Sequence, residues 1–452
     1  MTAKALFECL ASPRASAVLG NLYGPEGVED ARRRYGSLVE GLGKIPGDFP
    51  GRDFSELSGD IRLFTAPGRT ELGGNHTDHN QGKVLAASIH LDQAAAAVRR
   101  KDKTVIFRST GYPDVVVDLT DPSGSPDLAP KPEETGATEA LIRGIAAEFA
   151  ARGTAVGGFT ANAASTVLTG SGLSSSAAVE VLLGRIFDNL YGEGKRSFLE
   201  IAQIGQRAEN NYFGKPSGLM DQTACASGGV VAIDFADAGV PAVNRINLDL
   251  SETGYVLCVA DTRGSHADLT PDYAAVPEEM RAVARFFGKP VLREVDEEMV
   301  YARMAELRKA VGDRAVLRAV HFFDENRRVE AMVEAVKKMG GSLYPEEKKQ
   351  AMGTFLDLVN ASGNSSLTLL QNIYSTHKPR EQGVSLALFL SGRFFGNKGA
   401  CRVHGGGFAG TIQAYLPRIL FPAYKAHLEA VFGAGSVTPL RIRPAGAEEL
   451  VF

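Results

Sequence analysis

Residues 169–178, TGSGLSSSAA, lie where a strand pattern gives way to a helix pattern, and this junction constrains the fold more than any other stretch of the chain. Before it, residues 158–168 have the Thr and Val content and weak alternation of a strand. After it, Val179, Leu182, Leu183, Ile186 and Leu190 keep helical spacing. A glycine loop that opens a helix aims free backbone N–H groups and the positive end of the helix dipole at whatever it carries. An anion such as the phosphate of ATP is its natural ligand. Ser174, Ser175 and Ser176 add hydroxyls that hydrogen-bond phosphate or coordinate Mg2+. The competing reading is a Gly/Ser linker ahead of an ordinary N-cap. No lysine follows the last glycine, which excludes the GxxxxGK[ST] P-loop, and GSGLSS lacks the GxGxxG spacing of dinucleotide folds.

Three further segments carry chemistry. Residues 66–82, APGRTELGGNHTDHNQG, follow the apolar run 61–64 and read as a glycine-broken loop. Asn, His and Asp on such a loop engage neighbouring hydroxyls as donor and acceptor pairs, while Arg69 offers a fixed fork of donors for a carboxylate or phosphate. Residues 214–222, GKPSGLMDQ, read as a turn and helix start with one acid, Asp221, which is a candidate base or a simple dipole partner. Residues 401–410, CRVHGGGFAG, place four glycines ahead of the strand-like run 411–416, for a close backbone approach or a tight hairpin.

The order and spacing of these segments resemble the GHMP small-molecule kinase family. Residues 67–82 resemble the sugar signature PGRxNLIGEHxDYxxG of its galactose-phosphorylating branch, and residues 170–177 its phosphate loop GxGLSSSA. The resemblance runs from about residue 60 to the end. It implies an α+β fold of two domains, residues 56–250 and 251–452, with the active site in the cleft between them and an extension, residues 1–55, in front. It implies ATP on Gly170, Ser171, Gly172, Leu173, Ser174, Ser175, Ser176 and Ala177, and Mg2+ held by Ser176 and Glu209, with Ser175 the alternative. Asp221 then accepts the proton of the anomeric hydroxyl or supports its attack, with Arg69 beside it. A neighbouring cation lowers a carboxylate pKa, which favours positioning over strong-base action. The sugar positions carried over are Asn75, His76, Asp78, Gly218 and Tyr273.

Three departures bear on the substrate. Asn75 stands where the signature has Glu, Glu71 where it has Asn, and His79 where it has Tyr. Asn75 either hydrogen-bonds the sugar's terminal hydroxyl or relieves repulsion against a C6 carboxylate. Galactose is therefore the expected acceptor, with galacturonate or arabinose as alternatives. A uronate needs a cation, for which Arg263 and His79 are the candidates. A noncatalytic sugar and ATP sensor on the same fold is the alternative from another class; the intact GLSSSAA and Asp221 argue against it.

At 452 residues with 44% hydrophobic and 23% charged residues, the chain is long enough for two or three globular domains. A net charge of −4 without a long Lys/Arg cluster excludes a general nucleic-acid binder. Cys9, Cys225, Cys258 and Cys401 form no CxxC pair, so neither a zinc site nor a disulfide framework is signalled. No membrane span or leader pattern occurs, and a cytoplasmic monomer acting on a small-molecule sugar is the expectation. Strands are predicted at 94–98, 105–109, 115–119, 230–234 and 255–259. Helices are predicted at 138–151, 176–191 and 197–212, in long runs over 272–391, and around 423–431.

Overall fold

The computed structural model describes residues 1–43, 60–168, 170–237, 239–264 and 269–452. Thr169 of the glycine loop and residues 44–59, where the expected extension ends, lie outside the described residues. Three helices lead the chain: α1 (Ala3–Leu10), α2 (Pro13–Tyr23) and α3 (Val28–Leu42). Thr2 and Ser12 cap the first two, their hydroxyls accepting from the N–H of Ala5 and Ala15. Next come β1 (Arg62–Gly73), β2 (Lys83–Arg99), β3 (Thr104–Ser109), β4 (Val115–Asp118), α4 (Thr138–Ala151) and β5 (Phe159–Ser165). The glycine loop leads into α5 (Ser175–Tyr191), followed by α6 (Phe198–Ala208), α7 (Met220–Ser227), β6 (Val230–Asp234), β7 (Ala242–Ile246) and β8 (Tyr255–Asp261).

A helical stretch follows, α8 (Thr270–Phe286), α9 (Glu297–Ala302), α10 (Met304–Val311), α11 (Asp313–Gly341), α12 (Pro345–Ser365) and α13 (Gly383–Phe395). The chain closes with β9 (Ala400–Val403), β10 (Thr411–Pro417), α14 (Phe421–Phe432), β11 (Val437–Leu440) and β12 (Glu448–Leu450). This is the α+β segregation that the strand-rich and helix-rich stretches predict. No helix among the described residues is long and apolar enough to cross a membrane.

One sheet runs β12-β1-β2-β5-β3-β4, with β6 and β7 continuing from β2; its β3–β5 pair is parallel and its other ladders are antiparallel. A second, antiparallel sheet runs β11-β8-β10-β9. The alanine run 94–97 of β2 shows why the first sheet can be covered on both faces. Ala94 and Ala96 pack with Leu6, Leu19, Tyr35 and Leu38 of the leading helices. Ala95 and Ala97 pack with Ile142, Phe149, Val181 and Phe187 of α4 and α5. Alternation sends successive side chains to opposite faces, and a one-carbon side chain lets helices approach from both.

The leading helices are also held by charge. Asp92 of β2, fully buried, accepts from the Tyr23 hydroxyl at 2.6 Å and pairs with Arg34 at 2.7 Å and Arg443 at 3.3 Å. Burial pushes its carboxyl up; the two guanidiniums outweigh that and hold it below the usual carboxylate range.

The signature departs from its loop reading. β1 does not stop at Phe64 but runs through Gly73, with residues 63–73 buried. Its ladder with β2 slips between Pro67 and Arg69 and again between Glu71 and Gly73. Such bulges admit a proline and glycines into a strand and re-aim the side chains beside them. Arg69 and Glu71 are therefore held by a sheet, not by a solvated loop.

Candidate active site

Four segments far apart in sequence line one cleft of about 200 Å³. β1 and the turn after it contribute Arg69, Glu71, Asn75, His76, Asp78 and His79; the first turn of α5 contributes Ser176 and Ala177. Glu209, the stretch from Lys215 through Gly218, and Met220, Asp221 and Gln222 form another wall, and Gly405 and Gly406 close it. The volume falls below the roughly 300–1,000 Å³ of clefts that take drug-sized ligands, which suits a compact polar molecule.

At its centre Arg69 Nε donates to Asp221 Oδ1 at 2.9 Å, and Arg69 Nη2 lies 2.7 Å from the same oxygen. Arg69 Nη1 donates to the Gly172 carbonyl, and Leu173 O accepts the Arg69 backbone N–H at 3.0 Å. The arginine thus ties the signature strand to both the glycine loop and the acid. Burial works against its charge, and the Asp221 and Glu71 carboxylates outweigh burial and raise its pKa. Ser174 occupies the N-cap position of α5 in the left-handed region, φ 58°, and makes no capping bond; its hydroxyl donates to Asp221 Oδ2 at 2.5 Å. A non-glycine residue in the left-handed region that gives up its cap to reach an acid adds nothing to the capping of its own helix.

The sugar-signature turn is locked from behind. Arg402, fully buried, donates to Glu71 Oε1, to Leu72 O at 3.2 Å and to Ser362 Oγ at 3.2 Å. Asn75 Nδ2 donates to Glu71 Oε1 at 3.1 Å and to Gly405 O at 2.8 Å, while its Oδ1 accepts from Asn372 at 2.8 Å. The two departures from the signature are therefore physically coupled: Glu71 and Asn75 stand in each other's expected places and hydrogen-bond to each other. On α11, His321 and Glu325 sit one turn apart. His321 Nε2 donates to Asn75 O at 3.0 Å, and Glu325 Oε1 accepts from Gly74 N at 3.1 Å.

His76, at φ 59°, donates from Nε2 to Gly406 O at 2.8 Å; burial lowers its pKa, and that bond only partly offsets burial. Gly218 packs so closely on Asp78 that a Cβ there would collide with its carboxylate. Tyr273 does not line the cleft. Its hydroxyl donates to Gly407 O at 3.1 Å and its ring meets Phe408 edge-on beneath Gly406. Arg263 pairs with Asp261 at 3.0 Å and lines a separate cavity with Thr262 and Gly383.

The glycine loop is pinned to the second sheet. Gln413 donates to Thr70 Oγ1 at 2.7 Å, Thr70 bonds His404 Nε2 at 3.0 Å, His404 Nδ1 bonds Thr411 Oγ1 at 3.1 Å, and Thr411 donates to Ser171 O at 2.9 Å. Burial, with Arg69 and Arg402 nearby, keeps His404 well below its ordinary pKa, so the relay runs through a neutral imidazole. Leu173 is buried, Ser171 Oγ bonds Leu168 O at 2.6 Å, and Gly170 and Gly172 take positive φ. Ser175 starts α5 half-buried, whereas Ser176 is exposed to the cleft.

Glu209 ends α6 where the helix widens into a π turn over Glu209–Phe213, a distortion common at functional sites. It is 3% exposed. Its Oε2 accepts from Gln222 at 3.0 Å and from Ser217, and its Oε1 pairs with Lys215 Nζ at 2.7 Å. Among the described residues no three His, Cys, Asp or Glu side chains converge as an all-protein metal cage.

Residues 52–99 match the galactokinase galactose-binding signature, and residues 140–229 match the GHMP kinases N terminal domain. A galactokinase of Streptomyces coelicolor is 30% identical over 421 residues, 91% of this chain and 100% of that one. The chain belongs to the galactokinases of the GHMP kinase family. Its fold agrees: a Lactococcus lactis galactokinase complexed with galactose superposes with a TM-score of 0.73 at 24% identity, over 92% of this chain and all of that one. A Methanococcus jannaschii mevalonate kinase gives 0.57 at 14% identity, over 85% and 99%.

Within this galactokinase cleft, sequence reasoning missed Glu71, Lys215, Ser217, Gln222, Gly405 and Gly406 as lining residues. For Glu71 a signal existed, the mirrored departures at 71 and 75. For Lys215, Ser217 and Gln222 the signal was their closeness to Asp221 in GKPSGLMDQ.

Proposed function

We propose that this galactokinase transfers the γ-phosphoryl group of ATP to the anomeric hydroxyl of D-galactose, giving galactose 1-phosphate and ADP, and that it requires Mg2+. The observation that carries this reading is the sharing of Asp221 between Arg69 of the sugar signature and Ser174 of the glycine loop. One carboxylate stands where an acceptor hydroxyl and a phosphate would meet. Phosphoryl transfer needs alignment and neutralisation of spreading charge more than covalent help. Asp221, with Oδ1 on Arg69 and Oδ2 on Ser174, aligns the attacking hydroxyl and receives its proton as the O–P bond forms. Arg69 fixes that carboxylate and faces the developing charge.

The α5 N-terminus and the loop Gly170–Ala177 hold the ATP phosphates. The donor set suits Mg2+: an exposed Ser176 hydroxyl and the Glu209 carboxylate are hard oxygen ligands, and this ion commonly completes its shell from phosphate and water. When bound, Mg2+ supplies charge neutralisation on the phosphates. On the sugar side we assign Asp78 and His76 to hydroxyl contacts. Gly218 gives Asp78 its room, and Asn75 keeps one acceptor lone pair for the ring's exocyclic end. Tyr273 we assign to support of the Gly406 turn instead of sugar contact.

Four carboxylates, Glu71, Asp78, Glu209 and Asp221, line the cleft against two permanent cations, Arg69 and Lys215. That balance favours a neutral sugar over a uronate. A cytoplasmic setting belongs to this reading, since ATP is the donor. The test is ATP-dependent phosphorylation of galactose, galacturonate, arabinose, glucose and N-acetylgalactosamine, with Mg2+ and then with EDTA. Mg2+-dependent preference for galactose is expected. Preference for galacturonate would overturn the substrate, turnover in EDTA the metal, and no turnover of any sugar the kinase reading.

A further inference from the structure

Lys215 is a charged side chain of the cleft that the assigned roles leave unused. It lies in the turn between the π turn after α6 and the start of α7, 57% exposed along its side chain, and it lines the cleft beside Ser176, Glu209 and Asp221. Its backbone is fixed, the Lys215 N–H donating to Glu209 O at 3.1 Å. Among the described residues its side chain is held at one point, the Nζ to Glu209 Oε1 contact at 2.7 Å. An ammonium has three donors on a flexible stem, so two remain for other partners.

The two oxygens of Glu209 are not equivalent. Oε2 accepts from Gln222 Nε2, which also donates to Glu180 Oε2 at 2.9 Å, and from the Ser217 hydroxyl. Those donors are fixed by α7 and by the turn before it. Among the described residues Oε1 carries Lys215 alone. A divalent cation held by Glu209 would compete with Lys215 for Oε1, the oxygen without a neutral donor, because like charges disfavour an ammonium and a dication on one oxygen. Arg69, the other permanent cation of the cleft, is fixed in place, its Nε and Nη2 on Asp221 and its Nη1 on Gly172 O. A transferring phosphoryl group next to four carboxylates needs a cation that can move, and the cleft provides one.

We infer that Lys215 is a catalytic residue of the phosphoryl transfer: a divalent cation held by Glu209 would displace its ammonium from Oε1, and the freed ammonium contacts the transferring phosphate. This rests on the proposed phosphoryl transfer and its Mg2+ requirement. As the sugar oxygen bonds to Pγ, the bond from Pγ to the β-phosphate oxygen breaks and ADP leaves. The hydroxyl proton goes to Asp221, and Lys215 keeps its own protons throughout, acting by charge and hydrogen bonding.

The test uses the full chain, wild type, Lys215→Met, Lys215→Arg and Glu209→Gln, each checked for an unchanged thermal melt. Three quantities are read: Mn2+ binding to the nucleotide-free protein by electron paramagnetic resonance, ATP binding in EDTA by calorimetry, and steady-state kinetics with Mg2+. Lys215→Met is expected to bind Mn2+ more tightly, to bind metal-free ATP about tenfold more weakly, and to lose about 30-fold or more in kcat, with the galactose KM little changed. Lys215→Arg should retain most of the metal-free ATP affinity. If wild type requires Mg2+ and Glu209→Gln weakens Mn2+ binding while Lys215→Met matches wild type in all three readouts, Lys215 is a structural partner of Glu209 and the inference fails alone. Wild-type turnover in EDTA would overturn the metal reading and the inference together.

Discussion

Exchanging Glu71 and Asn75 by mutation puts the buried network behind the sugar turn to a quantitative test. Glu71→Asn removes the carboxylate that faces Arg402, a guanidinium with no exposure, and leaves that charge uncompensated. Breaking a buried pair in this way costs about 3–5 kcal/mol. Asn75→Glu alone sets a second carboxylate against Glu71, across the gap now bridged by the 3.1 Å amide bond, and removes the donor to Gly405 O. A buried polar group left without its partner costs about 1–3 kcal/mol, more when charged. If the two sites were independent, the double variant would lose roughly 5 kcal/mol or more, a large part of a typical folding free energy. The double variant Glu71→Asn/Asn75→Glu instead restores one acid and one amide within reach of each other and of Arg402. Its loss is expected to stay within about 3 kcal/mol, a coupling of about 2–3 kcal/mol between the positions. The chain has no tryptophan, so urea unfolding is best followed by far-ultraviolet circular dichroism. Additivity of the single losses within about 0.5 kcal/mol would refute the exchange as one coupled event.

Asp221→Asn, which keeps shape and removes the proposed proton acceptor, should lower kcat by about 10²–10⁴ while galactose still binds, as measured by coupled assay and calorimetry; unchanged turnover would remove Asp221 from the mechanism. Gly218→Ala should press a methyl group on the Asp78 carboxylate and weaken galactose binding by about 1–3 kcal/mol, with ATP affinity in equilibrium titration unaffected. His321 is held neutral, its pKa lowered to about 4 by burial. An unfolded histidine binds its proton near 6.5, so the unfolded state carries more protons between these values and stability is lost as pH falls from about 6.5 to 4. About 3 kcal/mol of that loss belongs to this one imidazole, and His321→Gln should flatten the pH dependence of the urea midpoint over that interval.

The parts of the site that a reader of the sequence can find are those where local pattern and chemistry coincide. The glycine loop, the helix after it and the acid at the start of α7 are each fixed by neighbours a few residues away, and residues 94–98 of β2 and β3 through β6 follow from alternation and turn residues, whereas 83–93 of β2 carry no such signal. The signature misleads because its glycines and polar residues look like a loop, whereas tertiary pairing with β2 and bulges at Pro67 and Glu71 make half of it strand. Tyr273 carries over by position, yet what decides its contact is the packing of Gly406 on its ring, a long-range fact. The grip of Arg402 on Glu71 spans 331 residues, and no local signal encodes it.

The pairing of β12 with β1 has a consequence for how the protein is made. Arg62 meets Glu449 across 387 residues, and Asp92 meets Arg443 across 351. On a ribosome, the strand that carries Arg69 emerges early, and one of its edges stays unpaired through most of translation. The first sheet cannot finish until nearly all of the second half has been synthesised, so the nascent chain presents an open edge to other nascent chains and to chaperones. Lesions within the short stretch 443–450 should therefore act mainly on yield during synthesis, with the finished enzyme's turnover little affected.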